Sequence, residues 1–370
     1  MKKKLAIIGA SYLQESLVLK AKNLGIETHC FAWEDGATCK DIADHFYPIS
    51  IIDKESILKK CIEINIDGIT TIASDIAVPT IGYVANKLEL ISNSVNSCLY
   101  ATNKAEMRKK LDQDNCSIPS YKILTSEYDN IEDIKFPVIV KPVDRSGSRG
   151  VTKVDNIDFL NEALKKATQE SFSKQVIVEQ FIEGTEVSVE SISWNGKHYI
   201  LAITDKVTTN APNFVELAHH QPSLLDINVQ NKIKNETIKC LNALEINFGA
   251  SHAEFKITAS GEVYVIEVGA RMGGDFIGSH LVELSTGYDF LKGVIDVALG
   301  EFTIPESTHI MSSGVYFLCK QTESLKKYFS LDNEFDFEKK IQSKELNIVT
   351  SSNERSGYLI YQSNKKVNLL

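Results

Sequence analysis

The 370-residue chain contains no C-x-x-C pair, no G-x-G-x-x-G fingerprint and no apolar run near the ~20 residues that span a bilayer. Each absence removes a class of function. Its seven cysteines (30, 39, 61, 98, 116, 240, 319) are scattered and odd in number, so neither a disulfide framework nor a zinc site is expected. They are expected to be buried thiols in a reducing compartment. Only Gly9 stands in the first strand-to-helix turn, so nicotinamide binding there is not expected. Basic excess is missing too: a net charge of -9 argues against nucleic acid or an anionic membrane as the main partner. The start, Met1–Gly9, imitates a signal peptide, but its apolar run is short and Gln14 and Glu15 follow at once. It is read as the first strand of a cytoplasmic protein.

What is present is ordinary globular composition with enough length for two or three domains. Residues 5–98 alternate strand and helix: strands at 5–8, 27–31 and 68–72, helices at 14–24, 54–64 and 76–88, with Gly25 as a C-cap. This series predicts a parallel sheet with helices on both faces. Ser11, Trp33, Ser74 and Asp75 lie at its strand ends, where turn and capping chemistry competes with a small-substrate role. From about 99 the character changes. Asn103 and Glu106 mark a capped helix start, and strands are expected at 136–142, 151–154, 175–182 and 186–190, with a helix near 156–169. Beyond 310 only strands at 314–318 and 357–361 are legible.

The most informative segment is a hairpin. His252–Thr258 and Glu262–Val268 both alternate polar and apolar, and Ser260-Gly261 suits a two-residue turn. That turn pairs Ala259 with Glu262 and, counting outward, Glu254 with Glu267. Phe255, Ile257, Tyr264 and Ile266 then form a core face, and both carboxylates share the other. At about 4 Å and an effective dielectric of ~20, their repulsion is roughly 4 kcal/mol. A cation should sit between them, and oxygen ligands with open positions suit Mg²⁺ holding a substrate phosphate. A three-residue loop would break this register.

Other groups acquire meaning beside that pair. The loop Ser146-Gly147-Ser148-Arg149-Gly150 offers backbone N–H groups to an anion and is flanked by strands, as a flap over phosphates would be. Lys141 precedes it and Lys104 begins a helix; together they would neutralise a polyphosphate. Glu179 and Glu186 flank Phe181-Ile182, a slot for a base with a carboxylate for a ribose. Arg271 follows a glycine-rich strand exit, within reach of a transferring phosphoryl group. Glu216 and His219, three apart, would share a face on a helical turn.

The order of these groups resembles the ATP-grasp superfamily, and within it the carboxylate–amine ligases close to the L-amino acid ligases. The residues that carry it are Lys104, Lys141 with its loop, Glu179-Gln180-Phe181-Ile182, Glu186, Glu254, and Glu267-x-x-x-Arg271. The resemblance implies an α/β chain, α+β overall: a Rossmann-like βα domain at 1–98, a small lobe at 99–185, and a large lobe with C-terminal extension at 186–370. It implies that Lys104, Lys141 and the loop 146–150 contact ATP phosphates. Glu179, Gln180, Phe181 and Ile182 would hold adenine and Glu186 the ribose. Glu254 and Glu267 would bind Mg²⁺ or Mn²⁺. Arg271 would stabilise an acyl phosphate, and Glu216 and His219 would lie by the substrate amine, with Lys206 and Gly273–Asp275 in the same region. Gly269 stands where many members carry a metal-binding asparagine. The expected partners are a small-molecule carboxylate and amine, with a homodimer left open. A purine-type or biotin-carboxylase-type ligase, and a non-catalytic nucleotide binder, are the competing readings.

Overall fold

The computed structural model describes residues 2–124, 135–147, 149–209, 211 and 213–370. Ser148, one of the loop residues expected to cover phosphates, lies outside them. Strands β1 (Lys4–Ile8), β2 (Glu27–Phe31), β3 (His45–Tyr47) and β4 (Gly68–Thr70) pair in parallel in the order β3-β2-β1-β4. Leu5–Ile8 are fully buried, which is why β1 reads as a continuous apolar run. Helix α1 (Glu15–Asn23) joins β1 to β2, α2 (Lys54–Ile64) joins β3 to β4, and α3 (Val78–Lys87) follows β4. The N-terminal parallel sheet with helices is as expected. Two details differ. β3 is too short for its periodicity to show. The third expected strand stops at Thr70, after which Ile72 makes an isolated parallel bridge to Met272, far along the chain.

Helices α4 (Val95–Tyr100) and α5 (Lys104–Gln113) lead out of this sheet. Asn103 caps α5, its Oδ1 accepting from the backbone N–H of Ala105 and Glu106 at 3.0 and 3.1 Å. A second sheet follows, built from β5 (Tyr121–Leu124), β6 (Val138–Pro142), β7 (Thr152–Val154) and β8 (Val176–Gln180). Its pairs are antiparallel, in the order β5-β8-β6-β7. Helix α6 (Leu160–Glu170) lays Leu160, Ala163, Leu164 and Ala167 on Val138, Val140, Val154, Val176 and Val178.

The third sheet contains β9 (Thr185–Trp194), β10 (Lys197–Thr208), β11 (Glu216–Gln221), β12 (Gly249–Ile257), β13 (Val263–Gly269), β14 (Ser312–Leu318), β15 (Asp336–Ile341) and β16 (Gly357–Ser363). They run antiparallel in the order β13-β12-β9-β10-β11-β14-β16-β15. Helix α7 (Ile227–Ala243) packs Ile233, Cys240 and Leu241 against Phe255, Val263 and Val265. Helices α8 (Val282–Thr286) and α9 (Phe290–Ala298) lead back to the first sheet. Buried α9 side chains join its core, and β4 approaches α9 so closely that a Cβ on Gly68 would lie 2.5 Å from the Ala298 carbonyl oxygen.

The hairpin keeps its carboxylate pair by a different route from the one expected. Gly261 donates to the Thr258 carbonyl and Thr258 to the Glu262 carbonyl, so the loop is the three-residue Ala259–Gly261. Ile257 pairs with Val263 and Phe255 with Val265, one step out of the two-residue register. A β-bulge between Glu254 and Phe255 then adds Ile266 on β13 and restores the pairing of Glu254 with Glu267. The core face changes as a result. Phe255 and Ile257 pack inward as predicted, but Val263 and Val265 accompany them in place of Tyr264 and Ile266.

Candidate active site

A cleft lies between the second and third sheets, walled by Lys104, Lys141, Ser146, Gly147, Glu179, Gln180, Phe181, Ile182, Glu186, Glu216, Glu254, Glu267 and Arg271. Of the residues expected to hold ATP, metal or the acyl phosphate, Gly150 is not on this wall, and neither are His219 and Gly273–Asp275 of the expected amine region. Gly150 has φ +71 and backs onto Glu170 and Pro142, so it shapes the loop base. The loop is anchored there. Asp144 accepts from the backbone N–H of Phe172 and Ser173, and the Arg145 guanidinium stacks 3.6 Å over the Phe172 ring.

At the deep end Glu179 accepts from Arg108 Nε and from Lys141 Nζ, both at 2.6 Å. All three side chains are buried. Burial raises the Glu179 carboxyl, but Arg108 and Lys141 outweigh it and hold the group at about 2. Burial pushes the Lys141 ammonium down. Each oxygen of Glu179 is therefore engaged by a cation. Phe181 and Ile182 line the slot with Ile266, whose bulged position turns it into the cleft beside Glu267.

The opposed carboxylates are neutralised by lysines. Lys104 Nζ lies 2.8 Å from Glu267 and also donates to the Arg145 carbonyl at 2.7 Å. Lys206 Nζ lies 2.8 Å from both Glu254 and Glu186 and 3.6 Å from Glu216. Burial alone would lower the Lys206 ammonium; the three carboxylates raise it well above the usual range. His252 bridges Glu254, at 3.2 Å from Nε2, and fully buried Glu190, in contact with Nδ1. These carboxylates take the imidazole to about 9 against the opposing effect of burial. Two hard carboxylates facing one cleft from adjacent strands fit Mg²⁺.

Asp75 enters from the first sheet. It grips Arg271 with both oxygens, at 2.8 Å to Nε and 2.8 Å to a terminal nitrogen. Of the four strand-end residues flagged in the sequence, Asp75 alone lines this cleft. The Ser11 hydroxyl is used locally on Gln14. The absence of a side chain at Gly269 is explained here, since a Cβ there would lie 2.8 Å from Asp75 Oδ1.

A second cavity shares Asp75, Lys206, Glu216, His252, Glu254 and Arg271 with the cleft and adds Tyr12, His219, Asp275 and the segment 350–353. Glu216 and His219 are on β11, not on the expected helical turn. In a regular strand, residues three apart face opposite ways. A bulge at Leu217 corrects the phase: Lys206 pairs with His219 while Glu216 still reaches Lys206. His219 is fully buried, and neither ring nitrogen has a hydrogen-bond partner among the described residues. Burial drives its imidazole well below the usual histidine range, so the ring is neutral. Asp275, at φ +49, is held by Arg355 through contacts of 2.9 and 2.6 Å, and Arg355 packs 3.7 Å over Phe317.

Sequence reasoning missed Arg108, Glu190, His252, Arg355 and Tyr12. Arg108 carried a faint signal, one helical turn after Lys104 and therefore on the same face. Arg355 carried none, because its segment is irregular.

Residues 134–279 match the ATP-grasp domain family. The alanine–anticapsin ligase of Bacillus subtilis (strain 168) is 27% identical over 272 residues, covering 64% of this chain and 57% of that ligase. The chain therefore matches little more than half the length of this curated relative. The L-amino acid ligase of Bacillus licheniformis superposes with a TM-score of 0.84 at 24% identity, covering 98% of this chain and 94% of that one. Phosphoribosylglycinamide synthetase from Anaerococcus prevotii superposes with a TM-score of 0.78 at 20% identity, over 99% and 95%. At these identities the superpositions establish the fold.

Proposed function

We propose that this chain, which carries an ATP-grasp domain over residues 134–279, is an ATP-dependent carboxylate–amine ligase that uses an amino-acid substrate. One observation supports the reading above the others: the cleft bearing the lysines and the opposed glutamates shares a wall of charged side chains with a second cavity. A phosphoryl group held in the first is thus adjacent to an acceptor held in the second.

In this reading Lys104 and Lys141 neutralise the phosphates under the 146–150 loop, adenine sits against Phe181, Ile182 and Ile266, and Glu186 accepts from the ribose. Glu254 and Glu267 would hold Mg²⁺, which would supply charge neutralisation for phosphoryl transfer. A substrate carboxylate oxygen attacks the terminal phosphorus, the bond to ADP breaks, and an acyl phosphate forms. The amine nitrogen then attacks the acyl carbon and phosphate leaves. Arg271, aimed by Asp75, faces the charge that develops on the acyl phosphate. Glu216 attracts the substrate ammonium, and neutral His219 takes a proton from the attacking amine.

Incubation with Mg-ATP and a panel of paired amino acids tests this, with ADP, phosphate and amide product measured together. Carboxylate labelled with ¹⁸O is expected to transfer one labelled oxygen to phosphate. ADP release without amide product or label transfer overturns the ligase reading. Turnover confined to a phosphoribosyl amine overturns the amino-acid substrate.

A further inference from the structure

Away from the cleft, at the edge of the first sheet, the parallel register sets His29 of β2 directly beside His45 of edge strand β3. Glu27, two residues before His29, projects from the same face. Both imidazoles converge on one oxygen: His29 Nε2 and His45 Nε2 lie 3.0 and 3.4 Å from Glu27 Oε1. One ligand atom from each residue falls within a 4.8 Å envelope. Ligand atoms about 2.1 Å from a tetrahedral ion are about 3.4 Å from one another, so the two histidine–glutamate separations are close to those a bound ion imposes. Tyr47, two residues after His45, places its hydroxyl 3.2 Å from His29 Nδ1. That is the outer contact by which a ligating imidazole is oriented.

We propose that Glu27, His29 and His45 form a binding site for a divalent d-block cation, with Zn²⁺ the best match to two imidazoles and one carboxylate. Harder ions such as Mg²⁺ prefer all-oxygen sites, so this site and the Glu254–Glu267 pair select different metals. His29 is buried, whereas His45 is exposed and Glu27 is partly so, which gives the ion an entry path. The two rings stack at 4.7 Å and 14°. An ion lies in the plane of the ring that binds it, so His45 turns out of the stack on binding, and its exposure leaves room for that. The bound ion ties β3, a three-residue edge strand, to its only neighbour in the sheet.

The experiment uses the metal-stripped full chain, with Glu254→Gln and Glu267→Gln introduced together to remove the acidic pair. Zn²⁺ binding is measured by competition with a chromophoric chelator, and Co²⁺ serves as a spectroscopic probe. One equivalent is expected to bind, weakened at least tenfold by His45→Ala and separately by Glu27→Gln. Both variants should match the parent in melting temperature without metal. The Co²⁺ spectrum should lack thiolate charge-transfer absorption, because Cys116, Glu236 and Cys240 make the other three-donor group among the described residues. Absence of a tight equivalent, its survival in either variant, or a thiolate band overturns the proposal and leaves the trio as a hydrogen-bonded cluster. None of these readouts involves ATP turnover, so the outcome is independent of the ligase reading.

Discussion

Replacing Glu179 with glutamine preserves the shape of the side chain and removes the negative charge between Arg108 and Lys141. The carboxyl is held at about 2 in the fold against an ordinary 4.5, because its two partners outweigh the burial that opposes them. A gap of that size is worth roughly 3 kcal/mol, and breaking a buried ion pair costs about 3–5 kcal/mol. Glu179→Gln is therefore expected to destabilise the second sheet by about 3 kcal/mol at neutral pH. Urea unfolding, read through amide exchange protection in β6 and β8, measures this. The sign follows from the lowered value: the stabilisation is complete above about 4.5 and disappears as pH falls toward 2. The gap between wild type and variant should narrow over that window. Adding Lys141→Met to Glu179→Gln should recover part of the loss by removing an unpaired buried cation. A difference below about 1 kcal/mol at neutral pH, or one that does not change down to pH 2, refutes the argument that this carboxylate serves as a counterion.

Glu254→Gln and Glu267→Gln should each lower kcat at least 100-fold and raise the Mg²⁺ concentration needed for half-maximal turnover. A Mg²⁺ titration at saturating ATP measures both, and unchanged turnover contradicts the metal assignment. Gly269→Asn should lower activity tenfold or more, because its Cβ would displace Asp75 from Arg271; a gain in activity refutes that reasoning. His252, raised to about 9, contributes stability in full below about 6.5 and loses it as pH rises through 9. Melting curves from pH 6 to 10 should show that alkaline decline, and Glu190→Gln should flatten it.

The parts of the chain legible in sequence are those where one local rule dominates. The limits of β2 and α2 follow from apolar periodicity and terminal residues. The α5 start follows from an asparagine cap, and the Glu254–Glu267 pairing from strand alternation. That pairing was reached by two departures that cancel, a longer turn and a bulge, and neither leaves a mark in composition. Glu216 and His219 show the same limit. Their spacing suggests a helix, and a strand delivers the same shared face only because Leu217 is extra. Arg108, Glu190, His252 and Arg355 acquire roles from partners between about 60 and 160 positions away or on separate elements, information that no local window contains.

The pairing of each cleft carboxylate with a lysine or arginine bears on how fast an anionic nucleotide can arrive. Lys104, Arg108, Lys141, Lys206 and Arg271 are matched by Glu267, Glu179, Glu254, Glu186 and Asp75, so these groups together project little long-range field into solution. Capture of ATP should then depend on ionic strength far more weakly than five cations alone would imply. In the proposed reading the attraction would develop only at contact, as the basic side chains exchange their protein counterions for phosphate oxygens.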